Sequence, residues 1–170
     1  RERTGTFAFE GIKLFREAKK AGADFKQIFI TQEAYEKYRS DFEGIDEKLL
    51  VLVSDAVYEK LSFENAPQGV FCVCAYYKPK TAGEASFVVL LDGVADPGNF
   101  GAVLRSADAF GVDVIYAGAG SADLYNPKTV RACMGSIFRM DVHRADDLAN
   151  EVLRLREEGF RIYATALDVR

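Results

Sequence analysis

LLDGVADPGNFGAVLRSADAFG, residues 90–111, begins as an apolar strand, breaks into a polar loop, and resumes as a helix that carries Arg105 in its second turn. A plain connection between a strand and a helix needs only one or two turn-forming residues. This loop contains more aspartate, asparagine, proline and glycine than such a connection requires. In open parallel sheets, ligands bind beyond the carboxyl ends of the strands, and the loop leaves such an end. The stretch therefore indicates a functional site.

The residues of the loop have separate expected roles. Pro97 and Gly98 predict a tight turn, and Asn99 is suited to cap the following helix with its side-chain oxygen. Gly101 and Arg105 are four residues apart and so share one helical face. Because Gly101 has no side chain, a ligand or another backbone can approach closely beside the guanidinium. That planar group suits a phosphate or a carboxylate.

Purely structural explanations for the same residues remain open. Arg105 and Asp108, three residues apart, would form an ordinary surface pair that contributes little to stability. Asn99 would then be only a cap and Gly101 only a packing contact. The loop matches neither the G-x-G-x-x-G fingerprint nor a phosphate loop that ends in Gly-Lys-Ser/Thr, which disfavours a nucleotide-dependent oxidoreductase.

Strands and helices alternate on both sides of this loop. The predicted strands are SFVVLLD, VDVIYAG, SIFRMDV and FRIYATALD. The predicted helices cover Asn99–Phe110, a stretch that begins near Pro127, and the segment RADDLANEVLRLREEG, which ends at Gly159. Strands that are apolar throughout predict a parallel sheet covered on both faces. No helix follows the last strand to cover it, so we expect this domain to be incomplete at its C-terminus.

The first half of the chain predicts a smaller α/β/α domain. Its predicted helices lie in GIKLFREAKKAG and SDAVYEKLS, and its predicted strands include FKQIFI, LLVLVS and the apolar run in PQGVFCVCAYY. Pro79 and Gly83 mark a linker-like stretch. We therefore predict one domain at residues 1–79 and a second at residues 85–170, joined by residues 80–84.

Composition limits the classes of function. The chain has 170 residues, of which 49% are hydrophobic, enough for a packed core. Its net charge of -4 argues against a protein that coats nucleic acid, so any RNA binding rests on local patches. No apolar run approaches the roughly 18 residues that span a bilayer, so we expect no membrane segment.

The cysteines and the single histidine favour structural roles. Cys72 and Cys74 fall on one face of a predicted strand, a spacing unsuited to a C-x-x-C metal or redox pair. We interpret them, with Cys133, as small buried hydrophobic residues in a reducing cytoplasm. His143 has no accompanying cluster of acids and histidines, so no metal site is expected.

Three ordered segments resemble one known family. LDGVADPGNFGAVLRSADAFGV, NPKTVRACMGSIFRMDV and GFRIYATALD are similar to successive motifs of the SpoU/TrmH-type SPOUT RNA methyltransferases, whose fold is a knotted α/β domain. The first half resembles the RNA-substrate-binding domain that these enzymes often carry. The resemblance covers essentially all 170 residues.

The resemblance implies a reaction and a set of site residues. The reaction is transfer of a methyl group from S-adenosylmethionine (AdoMet) to a ribose 2′-hydroxyl of structured RNA, with rRNA favoured over tRNA. The matched catalytic positions are Asn99 and Arg105, and Thr165, Ala166 and Leu167 correspond to one wall of the cofactor pocket. The family pattern further implies a homodimer for the full-length form.

The sequence departs from the family pattern in two places. Cys133 stands where family members usually have serine. Two further motifs, a G-x-E-like and an S-L-N-V-like segment, are absent from the 170 residues. In the family these segments hold the adenosyl group, so we expect the 170 residues alone to bind AdoMet weakly or not at all and to be inactive.

Gly101, where a ligand could approach closely, is one candidate for RNA contact. Several basic residues are further candidates. They are Lys128 and Arg131 at a helix start, and a patch of Lys19, Lys20 and Lys26 that flanks the turn at Gly22, with Arg139 and Arg144 as weaker candidates. A solvated helical face, or lysines that favour a helix dipole, would explain the same residues. A catalytically inactive RNA-binding module therefore stays open as the alternative function.

Overall fold

A four-stranded mixed sheet organises the first half of the chain. The structure, a computed structural model, describes residues 5–77 and 85–165. The strands of this sheet are β1 (Thr6–Glu10), β2 (Phe25–Thr31), β3 (Leu50–Val53) and β4 (Val70–Ala75). The sheet has the strand order β1-β4-β2-β3, in which β4 is antiparallel to both neighbours and β2 and β3 are parallel. The helices beside it are α1 (Ile12–Lys20), α2 (Gln32–Lys37) and α3 (Asp55–Leu61).

A three-stranded parallel sheet organises the second half. Its strands are β5 (Val88–Leu91), β6 (Val114–Ala117) and β7 (Asp141–Arg144). Their order is β5-β6-β7, and both pairings are parallel, which confirms the predicted parallel α/β sheet. The helices are α4 (Pro97–Ala109), α5 (Pro127–Ala132) and α6 (Leu148–Glu157). The predicted linker, residues 80–84, lies outside the described residues, and the domain boundaries stay a prediction.

The predicted strand SIFRMDV is partly wrong. Ser136–Phe138 forms a 3₁₀ turn, and β7 begins only at Asp141. The turn starts at Gly135, whose φ of +94° takes the chain out of an extended path. Ile137 and Phe138 are buried, so their apolar character serves packing between elements and not a strand.

The predicted strand FRIYATALD is not found in its described part. Residues 160–165 lie outside any helix or strand, and residues 161–165 are exposed. The physical reason is that a strand needs hydrogen bonds to a neighbour, and neither β5 nor β7 pairs with these residues. The remainder of the segment lies outside the described part of the chain.

An aromatic cluster joins the two halves. The Phe138 ring lies 5.3 Å from Phe9 and 6.2 Å from Phe7, centroid to centroid. Tyr125 lies 4.7 Å from Phe7 and stacks on Tyr76 at 4.2 Å. These contacts connect β1 to the loop before α5 and to the turn before β7, and buried residues of both halves form one hydrophobic cluster. The first half is thereby held against α5.

The three cysteines are buried and free, as their interpretation requires. Cys72 and Cys74 alternate with Val73 on β4 and so point to one face. Burial raises the pKa of the Cys74 thiol to about 12.

The described residues contain no helix with the length and the apolar composition that a membrane span requires. Across residues 5–77 and 85–165, no group of three or more His, Cys, Asp or Glu is placed to hold a metal ion.

Helices α4 and α5 cross at Gly101, which is buried. A Cβ atom added there would lie 2.6 Å from the Cβ of Ala132 and 2.7 Å from the carbonyl oxygen of Thr129. Those distances are shorter than carbon–carbon and carbon–oxygen contacts allow. The glycine is therefore the residue that lets the two helices approach this closely.

Gly101→Ala should destabilise the protein by about 1–3 kcal/mol, because the added methyl forces α4 and α5 apart. The sign is diagnostic, since glycine to alanine inside an unhindered helix stabilises by roughly 0.5–1 kcal/mol. Urea unfolding measures the change, with Ser106→Ala, an exposed position of the same helix, as the control. A more stable Gly101→Ala variant would contradict the close crossing.

Candidate active site

The loops that leave β5 and β6 are fastened together at the carboxyl edge of the parallel sheet. The Leu91 carbonyl oxygen accepts from the Gly118 N–H at 2.9 Å and from the Ser121 hydroxyl at 3.2 Å. The Ala122 N–H donates to the Val94 carbonyl oxygen at 2.9 Å. Both loops lead directly into helices, so these bonds fix where α4 and α5 begin.

Asp96 caps α4, which corrects the prediction that Asn99 is the cap. The Asp96 carboxylate accepts from the Asn99 backbone N–H at 2.8 Å, and Pro97 occupies the first helical position. The predicted tight turn at Pro97 and Gly98 is therefore the first turn of the helix. The reason is that Asp96, three residues before Asn99, already accepts from a free N–H group of the first turn, and Pro97 is suited to the first helical position.

The starts of α4 and α5 are joined by an ion pair. Lys128 Nζ lies 3.0 Å from Asp96 Oδ2, and both side chains are about half exposed. The Asn126 side-chain oxygen caps α5 by accepting from the Lys128 N–H at 2.9 Å. The Asn99 N–H and then the Lys128 ammonium hold the pKa of Asp96 below its usual value. Lys128, a candidate RNA contact, thus also positions the α4 start.

Arg105 is exposed and has no hydrogen-bond or ion-pair partner among the described residues. The alternative surface pair with Asp108 is not formed. Asp108 instead accepts from the Ser136 hydroxyl at 2.8 Å and from Arg139 at 2.7 Å. Because α4 begins at Pro97, Arg105 lies in its third turn, about 9 Å along the axis from Asn99.

The other three arginines between residues 100 and 144 are all engaged. Arg131 pairs with Glu64, and Arg139 pairs with Asp108 and Glu17. Arg144 donates to the carbonyl oxygens of Ser121 and Ala122 at 3.0 and 3.2 Å. Arg139 and Arg144 therefore bond other parts of the chain. Arg105 is the arginine of this group that stays available to a ligand.

Asn99 shares the exposure of Arg105. Its side chain is exposed and makes no hydrogen bond within the described part of the chain, whereas its backbone N–H is taken by Asp96. An exposed amide at the first turn of α4 is free to bond a substrate hydroxyl. The structure is thus compatible with both predicted catalytic positions, which stay predictions.

Gly101 does not open a space for a ligand. The structure fills that space with Ala132, Thr129 and the backbone of Cys133, so the packing explanation accounts for it. We therefore do not keep Gly101 among the RNA contacts. The physical reason is that the face of α4 bearing Gly101 is buried by α5.

The lysines of the first half differ in availability. Lys19 Nζ donates to the carbonyl oxygens of Asp41 and Glu43 at 2.7 and 2.6 Å, so it ties α1 to the loop after α2. Lys20 is exposed and has no partner among the described residues. Lys26 pairs with Asp24 at 2.7 Å. Lys20 is therefore the freest of these RNA-contact candidates.

The predicted cofactor wall is described only at Thr165, because Ala166 and Leu167 lie outside the described residues. Thr165 is exposed and belongs to no helix or strand. The described residues here do not enclose a cofactor.

Sequence reasoning missed the pairings of Asp96 and Glu64. Asp96 had a readable signal, since aspartate before proline is typical of a helix cap followed by the first helical residue. Glu64 had none, because its partner Arg131 lies 67 residues away.

Comparison with known proteins identifies the family to which the chain belongs. Residues 86–170 match the SpoU rRNA Methylase family, and residues 1–72 match the MRM3-like substrate binding domain. The chain belongs to the SpoU rRNA methylase family. This membership confirms the resemblance of the three motifs and of the first half.

The family relatives are longer than this chain. Over 169 residues it is 38% identical to the 23S rRNA (guanosine(2553)-2′-O)-methyltransferase RlmP of Bacillus subtilis, covering 99% of this chain and 65% of that protein. A TrmH-family protein from Porphyromonas gingivalis superposes with a TM-score of 0.81 at 28% identity, covering 99% of this chain and 65% of that one. An rRNA methyltransferase from Sinorhizobium meliloti, solved with AdoMet bound, gives 0.73 at 29% identity, covering 92% and 60%. The chain thus spans less than two thirds of each.

Lys128→Met should raise the pKa of Asp96 toward its usual 3.8 without reaching it, because the Asn99 N–H still stabilises the carboxylate. A lowered pKa in the folded state means that ionised Asp96 stabilises the fold above about pH 4 and that this contribution is lost as pH falls through the folded-state pKa. Carbon-13 NMR titration of the carboxyl group measures the shift.

Lys60→Met, an exposed lysine of α3, is the matched control and should leave the Asp96 titration unchanged. An Asp96 pKa that is the same in Lys128→Met and in the wild type would show that the ion pair does not exist in solution.

Proposed function

We propose that the full-length protein transfers a methyl group from AdoMet to a ribose 2′-hydroxyl of rRNA. The observation that carries the proposal is Arg105, an exposed arginine without a partner among the described residues, on the helix that leaves the carboxyl end of β5. Family membership and the 2′-O-methyltransferase of Bacillus subtilis support the reaction class. The same relative favours rRNA over tRNA as the substrate.

In the proposed reaction, Arg105 stabilises the negative charge on the ribose oxygen and does not accept a proton. A ribose hydroxyl is a poor nucleophile, and negative charge develops on its oxygen as it reacts. The guanidinium stays protonated in proteins and has no acceptor site, so it cannot serve as the base. Its fixed N–H groups can instead donate to the developing alkoxide, while the hydroxyl proton passes to solvent water, which reaches this exposed position.

Asn99 is the proposed orienting group. Its exposed amide lies on the first turn of α4, about 1.7 turns before Arg105, so the two side chains can contact different parts of one nucleotide. Holding the ribose in a reactive position lowers the barrier without any further chemistry from the protein. The Asp96–Lys128 pair keeps this turn in place.

AdoMet, when bound, supplies an already activated methyl group. The residues that the structure describes near Thr165 do not fit an enclosing cofactor site, so no step is assigned to them. The catalytic proposal accordingly rests on the substrate-facing residues alone. That the full-length protein is a homodimer and acts in the cytoplasm stays a prediction.

Arg105→Ala in the full-length protein should lower methylation of an unmodified 23S rRNA transcript by about a hundredfold or more, the usual cost of removing a charge-stabilising donor. RNA affinity should change less than twofold, because one exposed contact among many is lost. Tritium transfer from labelled AdoMet and filter binding measure the two quantities.

Arg156→Ala removes an exposed arginine of α6 and serves as the matched control. Unchanged methylation in Arg105→Ala together with reduced RNA binding would overturn the catalytic assignment. Absence of any methylation by the full-length wild type, with RNA binding intact, would favour the inactive RNA-binding module.

Residues 1–170 alone should bind AdoMet weakly or not at all, because Thr165 is exposed and the described chain around it forms no enclosure. Isothermal titration calorimetry with AdoMet tests this, with the full-length protein as the comparison. Micromolar binding by the 170 residues would contradict the expectation.

A further inference from the structure

A cleft runs between the first half of the chain and α5. Two cavities of about 420 and 300 Å³ lie side by side along it. The residues lining both cavities are Glu10, Leu14, Glu64 and Arg131. The smaller cavity is also lined by Lys128, which pairs with Asp96 at the start of α4. The cleft therefore leads to the candidate active site.

An exposed ion pair stands where the two cavities meet. Arg131 Nη1 lies 2.5 Å from Glu64 Oε1, and the two side chains are 59% and 32% exposed. A charged ligand in the cleft can reach both groups. Neither charge is buried, so exchanging one partner of Arg131 for another anion strands no charge away from water.

The position of Glu64 is set by the first half and not by Arg131. Glu64 lies in the loop between α3 and β4, and the Glu10 carboxylate fixes the start of that loop. Glu10 Oε1 accepts from the Phe63 N–H at 2.6 Å, and Oε2 accepts from the Ser62 hydroxyl at 2.8 Å. The backbone of Glu64 is thus held near Arg131 independently of the ion pair, while its side chain is free to turn away.

The cleft also exposes two large apolar side chains. Phe63 lines the smaller cavity and is 48% exposed, and Met134 lines the larger and is 52% exposed. The Phe63 ring rests on Phe71 with a centroid distance of 5.5 Å. Proteins that bind single-stranded RNA stack unpaired bases on aromatic side chains of this kind.

The remaining charges along the cleft are mostly engaged. Arg16 pairs with Asp41, and Glu17 pairs with Arg139. Lys13 is exposed and has no partner in the described part of the chain. With Glu10 and Glu17 occupied, the groups left for a ligand are Lys13 and, once Glu64 is displaced, Arg131. Both are cationic, which suits an RNA backbone.

We propose that this cleft holds a single-stranded RNA segment beside the methylated nucleotide, and that a backbone phosphate replaces Glu64 as the partner of Arg131. The proposal rests on the proposed function for its ligand. Carboxylate and phosphate offer the guanidinium the same pair of acceptor oxygens, so Glu64 occupies the phosphate position in the free protein. Glu64 thereby keeps Arg131 oriented and competes with RNA.

A double-mutant cycle in the full-length protein tests the exchange, with an unmodified in vitro transcript of 23S rRNA as the probe. Glu64→Gln should tighten binding about two- to fivefold, the range expected for an exposed ion pair. Arg131→Gln should weaken binding and lower the slope of log affinity against log salt by about 1. The double variant should bind like Arg131→Gln, because Glu64 competes only through Arg131.

Glu158→Gln is the matched control. It makes the same change of charge and breaks the exposed Arg154–Glu158 pair at the C-terminal end of α6, which does not line the cleft. The proposal is overturned if Glu64→Gln and Glu158→Gln have equal effects, or if Glu64→Gln still tightens binding when Arg131 is already replaced.

The cycle separates this proposal from the proposed function. If the wild type methylates the transcript in an Arg105-dependent way while the Glu64 and Arg131 variants bind normally, only the cleft assignment fails. If the wild type neither binds nor methylates the transcript, both fail. Phe63→Ala adds a second readout, since loss of stacking should weaken binding without changing the salt slope.

Discussion

The contact between Gly101 and the backbone of α5 decides how the second half is arranged. Because Gly101 has no side chain, Ala132 and Thr129 approach α4 more closely than any other residue at position 101 would allow. That approach brings the first turns of two helices together at one edge of the sheet. The Asp96–Lys128 pair is then a consequence of helix packing, and it is too exposed to be the cause.

The same crossing links the site to the first half of the chain. α5 carries Arg131 toward Glu64, and the segment after it carries Phe138 into the aromatic rings of β1. The aromatic contacts are buried, so they stabilise the contact between the two halves, whereas the ion pair lies at the rim of that contact. A shift of α5 would therefore move the α4 start and the cleft at once, so the two proposed RNA contacts are mechanically connected.

The sequence predicts those elements whose signals lie in neighbouring residues. Apolar runs predicted β5 and β6, and an asparagine followed by Pro127 predicted the start of α5. The same rule applied to Asp96 and Pro97 places the start of α4 at Pro97, two residues before the start that was predicted at Asn99. Ile137 and Phe138 look like a strand because periodicity over a few residues cannot distinguish a buried strand from a buried turn. Contacts such as Arg131 with Glu64, between distant residues, leave no local pattern to read.

The availability of Arg105 is meaningful because of what surrounds it. An arginine on a helix surface is ordinary, and Asp108 three residues later would normally satisfy it. Here Arg139 and Ser136 already occupy Asp108, and Arg139 is itself held by Glu17 from the first half. The junction between the two halves thus removes the nearest competitor for Arg105 and leaves its guanidinium hydrated. A phosphate or a developing alkoxide then has no internal anion to displace, in contrast to Arg131, where Glu64 must first give way. Under the two proposals, Arg105 is free to act on the substrate at once, whereas Arg131 stays paired with Glu64 until RNA binds.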